Sequence, residues 1–398
     1  MPGFEIFGDE ERRQVQDVLD TGVLFRYGFE GARKGHWKAK TFEQELSHRL
    51  GVSYCHLCAS GTAALSIALA ACGVGAGDEV IVPPFTFVAT VESVLLAGAV
   101  PVFGEIDETL CLAADGLADK LTERTRAVLP VHMCGAMARI DPIAEFCRAN
   151  DLLLIEDACQ SLGATYRGKA AGTFGQMGCF SFDPVKTITC GEGGAVVSDD
   201  ERLYRAADAF ADHGHDHIGS DRGKEGHPIL GTNFRISELN AAVGLAQLRK
   251  LDKILDIQRR HRDRIKAALA DLDGLRFRKI PDEAGDSATF LSFLLPGEAQ
   301  ARQAAKALND AGADGCFYWY DNNWHYFRRW DHLKGLCCAA PLPASRYGQC
   351  PDYGVVELPR SDAVMARTVS MQIKLGWAEA ELDQRAETVK RVLTQVLG

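Results

Sequence analysis

The sequence of 398 residues lacks several features that mark large classes of proteins. No apolar run approaches the roughly 20 residues needed to span a bilayer. The first residues, MPGFEIFGDEERRQ, are acidic and contain no apolar signal-peptide core. An excess of positive charge is also missing, because 44 basic and 54 acidic residues leave a net charge of −10. Without a basic stripe or a helix-turn-helix, we expect a cytoplasmic protein that binds neither nucleic acid nor membrane.

The cysteines do not form a recognisable framework, although there are 13 of them. They are odd in number and scattered through apolar segments, which favours buried thiols over disulfides in a chain without a secretion signal. Cys55 and Cys58 form a C-x-x-C, but no second pair follows at zinc-finger spacing. We therefore predict no metal site.

Short apolar runs alternate with helix-like stretches between about residues 50 and 200. The runs are YCHLCA (54–59), EVIVPP (79–84), VPVFGEID (100–107), RAVLPVHM (126–133), LLLIEDA (152–158), GCFSF (178–182) and AVVSD (195–199). This rhythm is typical of βαβ units and predicts an α/β fold with a mostly parallel sheet covered by helices.

Beyond the sheet, a long helical pattern begins at Ser237, and a smaller α+β unit follows after about residue 270. We predict a large domain over 1–250 and a small domain over 251–398. The N-terminal segment is expected to pack on the small domain.

Ligands of open α/β sheets bind at the carboxyl ends of the strands, so polar residues there are candidates for a site. In CASGTAAL, Gly61 and Thr62 open a helix whose free N–H groups attract a phosphate, although Ser60 could simply be an N-cap. In LLLIEDACQSLG, Asp157 follows a fully apolar strand, with Gln160 one turn later. A buried carboxylate needs a positive partner, either a structural cation or a cationic ligand ring.

Two further stretches complete the set. In FSFDPVKTITCGEGG, Ser181 ends a strand and Lys186 follows, placed where a partly buried amine could act as a nucleophile. In VPPFTFVAT, Phe85 and Phe87 are either core residues or a surface on which a flat ring stacks. Together the four stretches supply a phosphate cradle, a stacking ring, a carboxylate for a pyridinium nitrogen and a lysine, which are the parts of a pyridoxal 5′-phosphate site.

The chain resembles the DegT/DnrJ/StrS family of sugar aminotransferases over nearly its whole length. The matching motifs are ASGTAAL, PPFTFVATVESVL, PVHMCG, EDACQSLGA, FSFDPVKTITCGEGGAVVSDD and GTNFRISELNAAVGLAQL. The resemblance implies the aspartate-aminotransferase-like fold (type I of the pyridoxal phosphate enzymes), with a seven-stranded sheet in the large domain.

The same resemblance implies a role for each matching residue. Lys186 would bind the cofactor covalently and move protons, Asp157 would pair with the ring nitrogen, and Gln160 would bind the ring hydroxyl. Phe87 would stack on the ring, and Gly61, Thr62 and Ser181 would hold the phosphate. Asn233 would reach the phosphate from the neighbouring subunit of a homodimer. His132 is expected near the site without an assigned role. Relatives that act as dehydratases carry histidine at the lysine position, so Lys186 argues against that activity.

The C-terminal segment CFYWYDNNWHYFRRWDHLKG (316–335) departs from the usual nucleotide-sugar pattern and is rich in aromatic residues. Together with FADHGHDHIGSDRGKEGHPILGTNFR (210–235) and FRYGFEG (25–31), this segment resembles the family's enzymes that convert 8-oxo-3,8-dideoxy-manno-octulosonate to the 8-amino sugar, with L-glutamate as donor, for lipopolysaccharide. Tyr320, Trp324 and His325 are then candidate substrate residues. An acid substrate would give a role to nearby cations, namely Arg328, Arg329 and Lys374. A nucleotide-linked keto-sugar as acceptor and a non-catalytic, cofactor-bound regulator are the alternatives.

Overall fold

The computed structural model describes residues 2–219, 221–346 and 350–398. The strands are β1 (Tyr54–Cys58), β2 (Glu79–Val82), β3 (Val100–Phe103), β4 (Thr125–Val128), β5 (Leu153–Asp157), β6 (Thr165–Tyr166), β7 (Lys169–Ala170), β8 (Met177–Ser181), β9 (Gly194–Ser198), β10 (Arg276–Phe277), β11 (Phe290–Leu294), β12 (Cys316–Phe317) and β13 (Thr368–Gln372).

The α-helices are α1 (Pro2–Glu5), α2 (Asp9–Leu19), α3 (Lys38–Leu50), α4 (Gly61–Ala71), α5 (Ala89–Leu96), α6 (Ile140–Ala149), α7 (Glu201–Ala211), α8 (Glu238–Leu248), α9 (Leu251–Ala268), α10 (Glu298–Asp310), α11 (Asp331–Lys334), α12 (Pro343–Arg346), α13 (Pro359–Met365) and α14 (Glu379–Leu397). Single turns of 3₁₀ helix lie at Ala118–Lys120, Met133–Gly135, Glu283–Gly285, Trp319–Asp321, Phe327–Arg329 and Tyr353–Val355. No helix within the described residues has the length and apolarity to cross a bilayer.

The main sheet has seven strands in the order β1-β9-β8-β5-β4-β2-β3. Strand β9 runs antiparallel to β1 and β8, and the other neighbours are parallel. A smaller antiparallel sheet has the order β10-β11-β13-β12, and β6 pairs with β7 in a hairpin. The predicted α/β fold with a seven-stranded, mostly parallel sheet and a smaller α+β unit is confirmed.

The buried apolar residues form two clusters, a large one that includes residues of the seven-stranded sheet and a smaller one that includes residues of the four-stranded sheet. Helix α9 contributes to both, with Leu251, Ile254 and Leu255 in the large cluster and Ile265 in the small one. At the other end of the chain, the carboxylate of Glu5 accepts hydrogen bonds from the amides of Leu375 and Gly376, just past β13. The domain boundary at residues 250 and 251 stays a prediction.

The long helix predicted from Ser237 is interrupted. Helix α8 ends at Leu248 and α9 begins at Leu251. Between them, Lys250 reaches the N-terminal segment, where its Nζ lies 2.7 Å from the Glu11 carboxylate and 2.9 Å from the Ile6 carbonyl oxygen. Because Glu11 is fully buried, it needs this cation. Periodicity alone did not reveal the break, because the apolar stripe continues through it.

Candidate active site

A cavity of about 220 Å³ lies at the carboxyl ends of the central strands. We call it the polar cavity, and its lining consists of Ser60, Gly61, Thr62, Leu65, Thr86, Phe87, Ala89, Thr90, Val131, Asp157, Cys159, Gln160, Ser181, Asp183, Lys186 and Glu192. The structure thus brings together the predicted residues Gly61, Thr62, Phe87, Asp157, Gln160, Ser181 and Lys186. Four separate motifs meet here because β1, β2, β5 and β8 end at the same edge of the sheet.

The start of α4 forms one wall of the polar cavity. Ser60 is the N-cap, and its Oγ accepts a hydrogen bond from the Ala63 amide at 3.0 Å. A Cβ added at Gly61 would lie only 2.6 Å from the Cβ of Ser181. Glycine therefore allows the first turn of the helix to lie directly against β8. The amides of Gly61 and Thr62 have no partner within the helix, and both residues line the cavity together with Ser181, so this end of α4 has donors for an anion.

Asp157 is a buried carboxylate with neutral partners. Its side chain accepts hydrogen bonds from the hydroxyl of Thr90 at 2.8 Å and from the amide of Cys159 at 3.1 Å. Only 3% of the residue is exposed, and no cation lies within 4.0 Å of it among the described residues. Since a buried negative charge favours a positive partner, Asp157 fits a cationic ring nitrogen in the cavity.

The neighbouring carboxylate, Glu156, is satisfied by the protein itself. It accepts hydrogen bonds from the backbone amides of Gly172, Phe174 and Gly175 at 2.5–3.0 Å. His132 Nδ1 accepts the Ala138 amide at 3.1 Å, so its Nε2 carries the proton and donates to Glu156 at 2.9 Å. Successive residues of a strand face opposite ways, which explains why Glu156 is structural and Asp157 lines the cavity.

Lys186 lies on the loop between β8 and β9, with only 15% of its side chain exposed. Its Nζ lies 3.7 Å from the Asp183 carboxylate and 5.9 Å from the centre of the Phe87 ring. The Phe182 amide donates to the Gly193 carbonyl, and the Cys190 amide donates back to Phe182, which closes the loop around the lysine. Lys186 is thus fixed between an acidic group and an aromatic face.

A second cavity of about 270 Å³ adjoins the first and shares Phe87, Gln160, Asp183 and Lys186 with it. We call it the aromatic chamber, and its remaining lining is Val185, Thr187, Thr289, Phe290, Phe317, Trp319, Asn322, Trp324 and His325. Two of the predicted substrate residues, Trp324 and His325, belong to this lining. The third, Tyr320, lies outside it, because its ring packs against Tyr318 and Tyr326.

The wall of the aromatic chamber is attached to the Phe87 segment through the backbone. The Thr86 amide donates to the His325 carbonyl at 3.0 Å, and the Val88 amide donates to the Trp324 carbonyl at 2.9 Å. The Trp324 ring lies parallel to that of Phe87, with 5.7 Å between centres. Two segments more than 230 residues apart in sequence therefore hold each other beside Lys186.

The cations considered for an acid substrate lie elsewhere. Arg328 pairs with Asp362, Arg329 with Asp321 and Lys374 with Asp314. None of the three lines the aromatic chamber, where Lys186 is the one cation among the described lining residues.

Asn233 does not line either cavity of its own chain. It lies exposed on the segment before α8, where its side-chain oxygen accepts the Arg235 amide at 3.3 Å. A role in a second copy of the chain, as the sequence predicts, stays a prediction.

Sequence reasoning missed several polar residues of the site. Thr86 and Thr90 lie in the FTFVAT motif, and their hydroxyls are 2.6 Å apart beside Asp157. Their spacing of four residues would place both hydroxyls on one side of a helical turn, and this pattern could have indicated a shared polar role. Asn322 and Trp319 gave no signal of their own, because nothing in the aromatic segment shows which side chains face a cavity.

Comparison with known proteins decides the family. The sequence model of the DegT/DnrJ/EryC1/StrS aminotransferase family matches residues 6–390 of this chain. The chain belongs to this family. It is 36% identical over 359 residues to the UDP-N-acetyl-3-dehydro-alpha-D-glucosamine 3-aminotransferase of Acidithiobacillus ferrooxidans, covering 89% of both chains. It is 41% identical over 220 residues to the GDP-perosamine synthase of Caulobacter vibrioides, a match that spans 55% of this chain and 58% of that protein.

Solved structures agree with the assignment. The aminotransferase from Psychrobacter cryohalolentis superposes with a TM-score of 0.85 at 26% identity, covering 98% of both chains. The synthase of 3-amino-5-hydroxybenzoic acid gives a TM-score of 0.81 at 28% identity, covering 98% of this chain and 97% of that one. The predicted aminotransferase of this family, with pyridoxal 5′-phosphate as cofactor, is confirmed, and the close approach of Gly61 to Ser181 and the cation-free Asp157 fit that cofactor.

Proposed function

We propose that this aminotransferase transfers the amino group of an amino acid to a carbonyl-bearing sugar. The observation that carries the proposal is the continuity of the two cavities, because Lys186 and Phe87 belong to both. The polar cavity has the residues for pyridoxal phosphate, and the aromatic chamber has rings and amide groups suited to the two sides of a sugar.

Each residue of the polar cavity would act on the cofactor in one way. The Gly61 and Thr62 amides and the Ser181 hydroxyl would hold the phosphate, and Phe87 would support the ring face. Gln160 would bind the ring hydroxyl, and Asp157 would keep the ring nitrogen protonated. When bound, pyridoxal phosphate supplies a conjugated ring that accepts the electron pair of a breaking C–H bond. Lys186 Nζ is the base that takes this proton and later returns it.

We further propose 8-oxo-3,8-dideoxy-manno-octulosonate as the acceptor and L-glutamate as the donor. One of the three segments that suggested this sugar, residues 316–335, supplies Phe317, Trp319, Asn322, Trp324 and His325 to the chamber wall. Because Arg328, Arg329 and Lys374 are paired with carboxylates outside the chamber, we do not assign the acid group to them. The carboxylate lies at the opposite end of the sugar from the reacting carbon, so it would extend out of the chamber.

A nucleotide-linked keto-sugar is a second candidate acceptor. It is favoured by the names of two relatives, the GDP-perosamine synthase and the UDP-sugar aminotransferase. With either acceptor, we expect a homodimer in which Asn233 of one copy completes the phosphate site of the other.

The experiment that tests the proposal measures both half-reactions. The holoenzyme is first mixed with L-glutamate, and the loss of the visible absorbance band of the bound cofactor is followed. The amino form is then mixed in turn with the 8-oxo sugar acid and with GDP- and UDP-linked keto-sugars. We expect the sugar acid to restore the spectrum fastest. Faster recovery with a nucleotide-linked sugar would favour the second candidate, and no bleaching with any amino donor would contradict the proposal as a whole.

A further inference from the structure

The side chain of Asn322 fixes the proton of a neighbouring histidine. Its Oδ1 accepts the backbone amide of Trp324 at 2.9 Å, so this atom is assigned as the oxygen of the amide. The same Oδ1 lies 3.0 Å from His325 Nδ1. Since an amide oxygen only accepts hydrogen bonds, the proton of the neutral imidazole is on Nδ1, and Nε2 carries the lone pair.

The imidazole of His325 stays neutral in the chamber wall. Burial, followed by the positive charge of Lys186, lowers the pKa of His325 to about 3. Its Nε2 has no hydrogen-bond partner within the part of the chain that the structure describes, and it is not sealed in the core like the ring nitrogens of His56. The lone pair of Nε2 is therefore accessible to a ligand of the chamber.

The position of the ring is also fixed. His325 lies 4.7 Å from Trp319 and 5.6 Å from Phe87, measured between ring centres. Its carbonyl accepts the Thr86 amide at 3.0 Å. These contacts hold the imidazole in the same chamber as Lys186, while Nε2 has no partner among the residues that the structure describes.

We propose that His325 Nε2 binds a hydroxyl group of the acceptor sugar close to the reacting carbonyl, and that Asn322 is the positioning residue that makes Nε2 an acceptor. The inference rests on the proposed function and adds the substrate group that His325 recognises. A lone pair binds a hydroxyl, which has a hydrogen to donate, but not a carboxylate or phosphate, which has none at neutral pH. His325 would thus favour the sugar over the anionic ends of donor and substrate.

The first test reads the protonation of His325 without turnover. In holoenzyme labelled with ¹⁵N-histidine, with the signal assigned by its loss in His325→Phe, we expect Nε2 to be unprotonated from pH 5.5 to 8. In the amino form of Lys186→Ala, which lacks the proton-transferring amine, the 8-oxo sugar acid should shift the Nε2 signal, whereas L-glutamate added to the same form should not. Asn322→Asp should bring a second proton onto the ring, which makes Nε2 a donor. A protonated Nε2 in the unsubstituted protein would overturn the inference.

The second test measures discrimination. We expect the amino form to react with the 8-oxo sugar acid with about tenfold higher kcat/KM than with its 7-deoxy analogue, the value of one hydrogen bond. His325→Phe should reduce this ratio to within about twofold, and the control His332→Phe, outside the chamber, should retain it. An unchanged ratio in His325→Phe would overturn the inference. Failure of the sugar acid to react at all would count against the proposed function alone, because the NMR measurement needs no turnover.

Discussion

The polar cavity and the aromatic chamber share Lys186 and Phe87, but they are built in different ways. The polar cavity consists of short motifs at the ends of neighbouring strands. Apart from the residues that it shares with the polar cavity, the chamber wall comes mostly from β11, β12 and the segment after β12, which meet the Phe87 segment only through tertiary contacts. The polar cavity therefore follows from the topology of the sheet, whereas the aromatic chamber depends on contacts between segments that are distant in sequence.

The largest effect is expected at Lys186, one of the residues that both regions share. Lys186→Ala removes the proton-transferring amine, and activity should fall on the order of 10²–10⁴-fold. Borohydride reduction of the unsubstituted holoenzyme, followed by peptide mapping, should place the cofactor adduct on Lys186. The control is Lys253→Ala, an exposed lysine of α9. An adduct on another peptide would contradict the assignment of the site.

Substituting the two carboxylates at the end of β5 should have different consequences, a loss of activity for one and a loss of stability for the other. Asp157→Asn removes the charge facing the cavity, and we expect kcat to fall about 10²–10³-fold with little change in stability. Glu156→Gln replaces an oxygen that accepts backbone amides in the core, so it should cost about 1–3 kcal/mol of unfolding free energy. Urea unfolding and kinetics of both variants separate the two roles. A large loss of stability in Asp157→Asn would contradict the distinction.

The close contact at Gly61 should set the affinity for the cofactor. In Gly61→Ala, the added methyl group would clash with Ser181. We expect this clash to cost roughly 1–3 kcal/mol, which raises the dissociation constant of pyridoxal phosphate roughly 5- to 150-fold. Titration of the apoenzyme with pyridoxal phosphate, followed by absorbance, measures this dissociation constant. Gly31→Ala is the control, because a Cβ there meets nothing within 4 Å. Equal affinities of the two variants would show that α4 does not hold the phosphate.

The smallest effect concerns the chamber wall. The pKa of His325 is lowered from its ordinary value of 6.5 to about 3. The unfolded chain therefore binds this proton below pH 6.5 while the folded chain does not. Stability is retained above pH 6.5 and lost as the pH falls. Between pH 7 and 5, the unfolding free energy should fall by about 2 kcal/mol more than in His325→Phe. Urea unfolding curves of the unsubstituted protein and of His325→Phe, measured at pH 7 and pH 5, check this difference. The same pH dependence in both proteins would mean that the chamber does not desolvate the ring.

Part of the site could be predicted because position in the chain implies position in space. Once the alternation of strands and helices indicates a parallel sheet, residues that follow the strands must share one edge, which brought Asp157, Ser181 and Gly61 together. The break between α8 and α9, the place of Tyr320 outside the chamber and the partners of Arg328 could not be predicted in this way. Each depends on which side chain of another segment is near.

The sequence by itself determined the α/β fold, the family and seven of the residues that line the polar cavity, since these follow from local periodicity and contiguous motifs. Only the tertiary structure decided that Asp157 has no cation near it among the described residues, that Glu156 is structural, and that His325 lies in the same chamber as Lys186. The physical reason is that burial, charge and hydrogen-bond partners are properties of an environment assembled from distant segments, and no local pattern records them.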